Sequence, residues 1–303
     1  MKTGTKKFAS LFLLTTFSIA TAGCGTQISN NATTNTSNAT GGARASKTIT
    51  IAWLPWTEDV ATTHLWKVLL EQKGYTVNLK ELDVGPLLLG LSKGGVDAFF
   101  DLWLPAEQNN IKKYKSNISY LTDWYTGESS EGVAVPKYMT NINTPQELNA
   151  HAAQFKHRIV GIDPGSQEEN SVKKMVKVYG MNHIHVQDSS TPAMLTALKQ
   201  AVKAKRPIAV VMWTPHWAFT KYNLKYISDP KYIVKSKTTN KILVAANKKW
   251  AKDNPTVSGW FSNFKLTPNQ LASLEEYMKN TKDKDSAAKK WIAKNQSLIS
   301  SWF

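Results

Sequence analysis

Past residue 47 the chain alternates short apolar runs with longer stretches in which apolar residues recur every three or four positions. The first pattern predicts strands and the second amphipathic helices. Ile49-Thr50-Ile51-Ala52 reads as a strand, and Thr62, Leu65, Trp66, Leu69 and Leu70 follow at helical spacing until Gly74 closes the helix. Tyr75 to Leu82 alternates apolar and polar positions as a strand does. Leu87 to Leu91 predicts a second helix ending near Gly94-Gly95, and Val96 to Phe100 the next strand. A β-α-β-α-β series with short connections predicts a mixed or parallel sheet covered by helices.

Gly132 to Pro136 is a short strand stopped by proline, and Lys241 to Ala246 is a similar one much later. A second αβ series lies between them: a strand at Ile159–Ile162, a helix with Val172, Met175, Val176 and Tyr179 on one face, a helix through Met194, Leu195, Leu198 and Val202, and a strand at Ile208–Met212. One domain inserted into another, entered by one strand and left by the other, explains this order. It predicts two lobes on a two-strand hinge, lobe I from 48–134 and 243–303 and lobe II from 135–242. After 246 the chain is helical and lysine-rich, with Leu271, Leu274, Tyr277 and Met278 on one face and Ala288, Trp291 and Ile292 starting another. These helices are expected to pack on lobe I.

Three strand ends deliver an indole beside a proline. They are Trp53-Leu54-Pro55-Trp56, Trp103-Leu104-Pro105, and Trp213-Thr214-Pro215-His216-Trp217, where Trp213 is expected on a loop. Ligands of open α/β sheets bind where the strands stop, so the three suggest one aromatic pocket. Each tryptophan taken alone could equally be core, because an indole buries a large apolar area whatever its role.

The N-terminus speaks to compartment. Lys2, Lys6 and Lys7 precede an uncharged stretch, Phe8 to Ala22, too short for a comfortable membrane span and followed by Gly23-Cys24. Residues 1–23 therefore read as a secretory signal peptide. Cys24 is the only cysteine, which excludes an internal disulfide. Ala22-Gly23 before it resembles the lipobox of bacterial lipoproteins, in which that thiol is lipidated; an ordinary cleaved signal with an incidental cysteine is the alternative. Residues 24–47 are rich in Thr, Asn, Ser, Ala and Gly and read as a flexible tether. The net charge of +16 invites a nucleic-acid reading. The lysines are spread over every helix, however, and no DNA- or RNA-binding motif occurs, so a solvated basic surface near anionic lipid or wall polymer is the better account.

Enzyme and metal constellations are missing from the sequence. There is no Gly-x-Ser-x-Gly elbow, and the six histidines have no metal-binding spacing. His216 could be a base but has no identifiable triad partner, and reads instead as a hydrogen-bonding residue of its loop. Ile159 to Asn170 is a strand, a Gly/Ser turn and a helix start, whose unpaired N–H groups would attract an anion or simply be capped. It lacks the spacing of a nucleotide-binding loop. No cofactor is implied.

Several of these blocks together resemble the substrate-binding proteins of glycine betaine and related quaternary-ammonium ABC transporters, the type that encloses its ligand in a prism of three tryptophans. The matching stretches are Trp56 to Thr63, Asp101 to Pro105, Val135 to Met139, Gly161 to Ser166, Ser189-Ser190 with Ala193-Met194, and Trp213 to Trp217 followed by Leu224-Lys225-Tyr226. The resemblance implies a two-lobed periplasmic-binding-protein fold of type II. It implies that Trp56 and Trp103 from the first lobe and Trp213 from the second form the ammonium cage, and that main-chain N–H groups of Gln167 and Glu168 hold a ligand carboxylate. Betaine-type members can add a histidine five residues after the Trp-Leu-Pro tryptophan; here that residue is Gln108. Related choline binders place acidic groups near the first tryptophan, where this chain has Glu58 and Asp59. Trp53 could line the rim, and His216 is a further candidate. Some members of the family are circularly permuted; here the lobe with Trp56 and Trp103 comes first and the lobe with the helix start second. The reading is then a lipid-anchored extracytoplasmic protein serving a permease and its ATPase. Glycine betaine is the leading ligand, with proline betaine and carnitine behind it. The alternatives are a choline-binding protein using Glu58 or Asp59, or a secreted enzyme using His216 or Glu168.

Overall fold

The computed structural model describes residues 47–235, 238–279 and 281–303. The expected signal peptide, Cys24 and the tether as far as residue 46 lie outside the described residues.

Ten strands follow in chain order: β1 (Thr48–Trp53), β2 (Thr76–Glu81), β3 (Ala98–Leu104), β4 (Ile118–Asp123), β5 (Ser130–Pro136), β6 (Arg158–Val160), β7 (His185–Gln187), β8 (Val210–Thr214), β9 (Leu224–Tyr226) and β10 (Lys241–Asn247). They form two five-stranded sheets, ordered β2-β1-β3-β10-β4 and β7-β6-β8-β5-β9. Both are built alike. In the first, β1 lies between parallel partners β2 and β3, and the late strand β10 inserts antiparallel between β3 and β4. In the second, β6 lies between parallel β7 and β8, and β5 inserts antiparallel between β8 and β9. This is the two-lobed α/β architecture that the hydrophobic pattern predicts.

Local chemistry sets the element ends. The helix Thr57–Gln72 is closed by Gly74 at φ +84°, and the helix Val84–Lys93 by Gly94 at φ +81°, a left-handed conformation that costs glycine little. Central strand β3 is buried on both faces up to Leu104, which is why it reads as a continuous apolar run with no alternation. Trp103 and Trp213 lie within the last residues of β3 and β8, one residue before each strand stops, so Trp213 is not on a loop.

An aromatic cluster holds the first lobe together. Trp66 of the helix Thr57–Gln72 stacks on Phe100 at 5.8 Å and meets Phe261, Phe264 and Trp302 at 4.8, 5.5 and 5.9 Å between ring centroids. The C-terminal helices are thereby fastened to the first sheet. Such ring pairs contribute beyond their buried area.

The crossings between sheets differ slightly from the pattern-based expectation. β5 pairs with β8 from Ser130 onward, so the whole strand belongs to the second sheet, and β10 belongs wholly to the first. The chain therefore crosses between β4 and β5 and between β9 and β10, just before the strands expected to form the hinge. The two crossings are tied together. Ser129 Oγ donates to the Asn240 carbonyl at 2.8 Å, while the Asn240 side chain accepts from the Ala106 N–H at 3.0 Å and donates to Glu131 Oε2 at 3.3 Å. Among the described residues no helix is long and apolar enough to cross a membrane, and no cluster of His, Cys, Asp or Glu could hold a metal ion.

Candidate functional site

Trp56 and Trp103 from the first lobe and Trp213 from the second line one narrow cavity. Trp56 and Trp213 approach across the interlobe cleft with ring centroids 6.3 Å apart at 56°.

Each indole is aimed by a different device. Trp103 donates its N–H to Asp101 at 2.8 Å; the two residues are separated by one position on β3 and so share a face of the sheet. Trp56 donates across the cleft to Asp163 Oδ2 at 3.1 Å, and that oxygen also accepts from the Thr191 N–H and hydroxyl at 3.2 and 2.6 Å. The Trp213 N–H is buried facing the Glu58 carboxyl, and its ring meets the edge of His216 at 5.0 Å and 87°.

His216 braces the closed cleft and does not line the cavity. Its Nδ1 accepts from the Ala218 N–H at 3.0 Å, which places the proton on Nε2, and Nε2 then donates to Thr57 Oγ1 on the other lobe at 2.9 Å. Burial pushes its pKa down to about 3, so the ring stays neutral. This is the hydrogen-bonding role read from its loop.

The Gly-Ile-Asp-Pro-Gly-Ser stretch is explained atom by atom. Ser166 caps the helix Gln167–Val178 by accepting from the Glu169 N–H at 3.2 Å. Glu169 turns away from the cavity and accepts from the Ile162 N–H at 2.6 Å. A side chain on Gly161 would collide with the Glu169 carboxylate and lie 2.8 Å from the Gln187 carbonyl, so only glycine fits there.

The remaining walls are acidic. Glu58, Glu107, Glu131 and Glu168 line the same cavity, and among the described residues neither lysine nor arginine joins them there. Glu58 is fully buried, with its carboxyl facing the Trp213 N–H and the Asp101 carboxyl. Burial first, and then neighbouring Glu275, push it up to about 8. Burial, followed by the charge of Glu107, also raises Glu131 to about 8. Glu168 lies well above the usual carboxylate range through burial and then through Glu131. Behind the cage, Asp101 is raised well above its ordinary value by burial and then by Glu58.

Several expected site residues fall elsewhere. Gln108 is exposed at the start of the short helix Gln108–Ile111, and its neighbour Glu107 takes the place on the cavity wall. Asp59 is turned into the protein, accepting from the Leu54 N–H at 2.7 Å and the Thr63 hydroxyl at 3.1 Å, which leaves Glu58 as the acidic group beside Trp56. Trp53 packs on His64 at 6.2 Å, away from the cavity lining. The Gln167 main-chain N–H, expected to meet a ligand carboxylate, donates to Glu107 Oε1 at 2.9 Å. Glu168 does reach the cavity, and its carboxyl lies 3.4 Å from the Gly132 N–H. Sequence reasoning missed Glu107 and Glu131. A charged residue opening the apolar strand β5 is a signal that could have found Glu131.

Two like-built lobes with a cavity walled by residues of both define a solute-binding protein. The chain belongs to the family described as the substrate binding domain of ABC-type glycine betaine transport systems, whose profile it matches over residues 47–294. Such a protein is a transport component and not an enzyme. The chain is 34% identical over 151 residues to the glycine betaine/carnitine transport binding protein GbuC of Listeria monocytogenes, a match covering 49% of this chain and 50% of that one. It thus spans about half the length of this curated relative. The lactococcal OpuAC structure, closed and complexed with glycine betaine, is 28% identical with a TM-score of 0.77, over 84% of this chain and 99% of that one. Two further structures share the fold. The glycine betaine/L-proline-binding protein ProX of Borrelia burgdorferi has a TM-score of 0.79 at 24% identity, over 84% and 96% of the two chains. A choline binding protein in complex with choline has a TM-score of 0.78 at 21% identity, over 84% and 91%.

Proposed function

We propose that this protein captures a quaternary-ammonium solute outside the cell and delivers it to a membrane permease driven by a separate ATPase. The observation that carries this reading is that three tryptophans, from both lobes, line a single cavity. A trimethylammonium group has no N–H to donate, so its affinity must come from the negative faces of aromatic rings, up to about 2 kcal/mol each when desolvated. A ligand that touches Trp56 and Trp103 on one lobe and Trp213 on the other favours the closed form, which the permease would recognise. Residues 1–23 would direct export, and lipid on Cys24 would hold the protein on the outer face of the membrane through the tether.

Glycine betaine is the leading ligand, supported by the family and the Listeria relative, and carnitine is supported by the latter; proline betaine stands behind them as a related osmoprotectant. Choline is a second reading, favoured by one observation: Glu58, fully buried, lies beside the cage. Titration of the full chain with choline and with glycine betaine, followed by tryptophan fluorescence and calorimetry, tests the shared part. Saturable one-to-one binding of at least one of them is expected. Failure of both to bind at millimolar concentration would remove the quaternary-ammonium reading.

A further inference from the structure

The two candidate ligands share a head and differ in the tail, which is a carboxylate in glycine betaine and a hydroxyl in choline. The helix Gln167–Val178 points the N–H groups of its first turn toward the cavity, and the positive end of its dipole favours an anion there. In this protein an anionic group already occupies that place. Glu107, buried, comes from the first lobe and accepts the Gln167 N–H at 2.9 Å through Oε1; its Oε2 accepts from Asn110 at 2.6 Å. Asn110 in turn donates to the Gly165 carbonyl at 3.0 Å, so Glu107 and Asn110 together clasp the turn before the helix from across the cleft.

Around this contact the cavity is acidic, and among the described residues no lysine or arginine lines it. Glu131 and Glu168 face it from the second lobe and Glu58, fully buried, from the first. A ligand carboxylate would have to displace Glu107 from the Gln167 N–H and then lie among three other carboxyl groups. A cation with a hydroxyl tail meets none of these obstacles. Its charge favours ionisation of the buried carboxyls that face it, and its O–H has carboxyl oxygens to donate to.

We propose, as a refinement that rests on the tryptophan-cage reading, that Glu107 occupies the place of a ligand carboxylate at the start of the helix Gln167–Val178, and so makes the pocket select quaternary-ammonium cations without a carboxylate, choline among them, over zwitterions such as glycine betaine. Glu107 is a specificity-determining residue. It also lets the lobes close on a ligand that cannot itself bridge to the helix.

Calorimetric titrations of the full chain with choline chloride and with glycine betaine, on wild type, Glu107→Gln and Glu107→Ala, test this. Wild type is expected to bind choline at least about tenfold more tightly than betaine, a difference of about 1.4 kcal/mol. Glu107→Ala frees the Gln167 N–H and removes a negative charge, and should narrow that ratio at least tenfold, chiefly by a gain in betaine affinity. Glu107→Gln keeps an acceptor on the N–H while removing the charge, so its effect should be smaller and in the same direction. Tighter binding of betaine by wild type, or a ratio unmoved in both variants, overturns the role of Glu107 while leaving the cage intact. Absence of binding by either ligand overturns the cage reading itself, and this inference with it.

Discussion

Replacing Trp103 with alanine is expected to weaken quaternary-ammonium binding up to about 30-fold. One desolvated indole face contributes up to about 2 kcal/mol to such a cation, and every 1.4 kcal/mol is a factor of ten in affinity. Trp103 is buried, and the Asp101 carboxyl fixes its ring, so no neighbour can swing in to replace the lost face. Trp103→Phe keeps a weaker face and should lose less. Fluorescence or calorimetric titration measures the loss, and an unchanged cooperative unfolding transition shows that the variant folds. An affinity within threefold of wild type would mean that Trp103 only packs.

The unliganded protein should lose stability as pH rises from 5 to about 8, the reverse of what paired surface carboxylates produce. Glu58 and Glu131 each stand near 8 in the folded state against an ordinary 4.5, first through burial and next through Glu275 and Glu107 respectively. Glu275, close to Asp101, is likewise held near 8 by burial. In the unfolded chain these groups ionise near pH 4.5. Between 4.5 and 8 the folded protein therefore holds more protons than the unfolded one, so stability falls through that window and levels off above it. Each pKa unit corresponds to about 1.36 kcal/mol, so displacements of this size make the fall easily visible in the melting temperature. A bound cation reverses the balance by favouring the ionised carboxyls. Choline affinity should rise about tenfold or more from pH 6 to 9, with protons released into buffer on binding. A melting temperature that is flat or rising from pH 5 to 8, together with no proton release, would contradict this account.

Most of the scaffold was legible in the sequence because its strands and helices bury their apolar positions with clear periods. β1, β3 and β8 stand out, and the glycines at 74 and 94 mark real helix ends. β4 was missed because only Ile118 of its six residues is fully buried, which leaves little apolar signal. The stretch after 246 was read as helical without its boundaries, and it is the helix Pro255–Asn263 that carries Phe261 to Trp66.

The tryptophans were legible because an indole beside a proline at a strand end is rare. The acidic wall was not, since the direction of a side chain depends on where a turn ends. After Pro105 a new helix starts within three residues, and that rotation sends Gln108 outward and Glu107 inward. The Gln167 contact shows a second limit. A helix start that is free to bind an anion and one already capped from another lobe have the same local sequence, and only the fold brings Glu107 to within 2.9 Å of it.

The most direct test of the cage compares choline with its neutral carbon isostere, in which a tert-butyl group replaces trimethylammonium, by calorimetry on the full chain. The two have nearly the same shape and differ in charge. Binding driven by indole faces and the buried carboxyls predicts that choline is favoured at least about tenfold. Equal affinities would contradict that account and reduce the cavity to an apolar hole of suitable size.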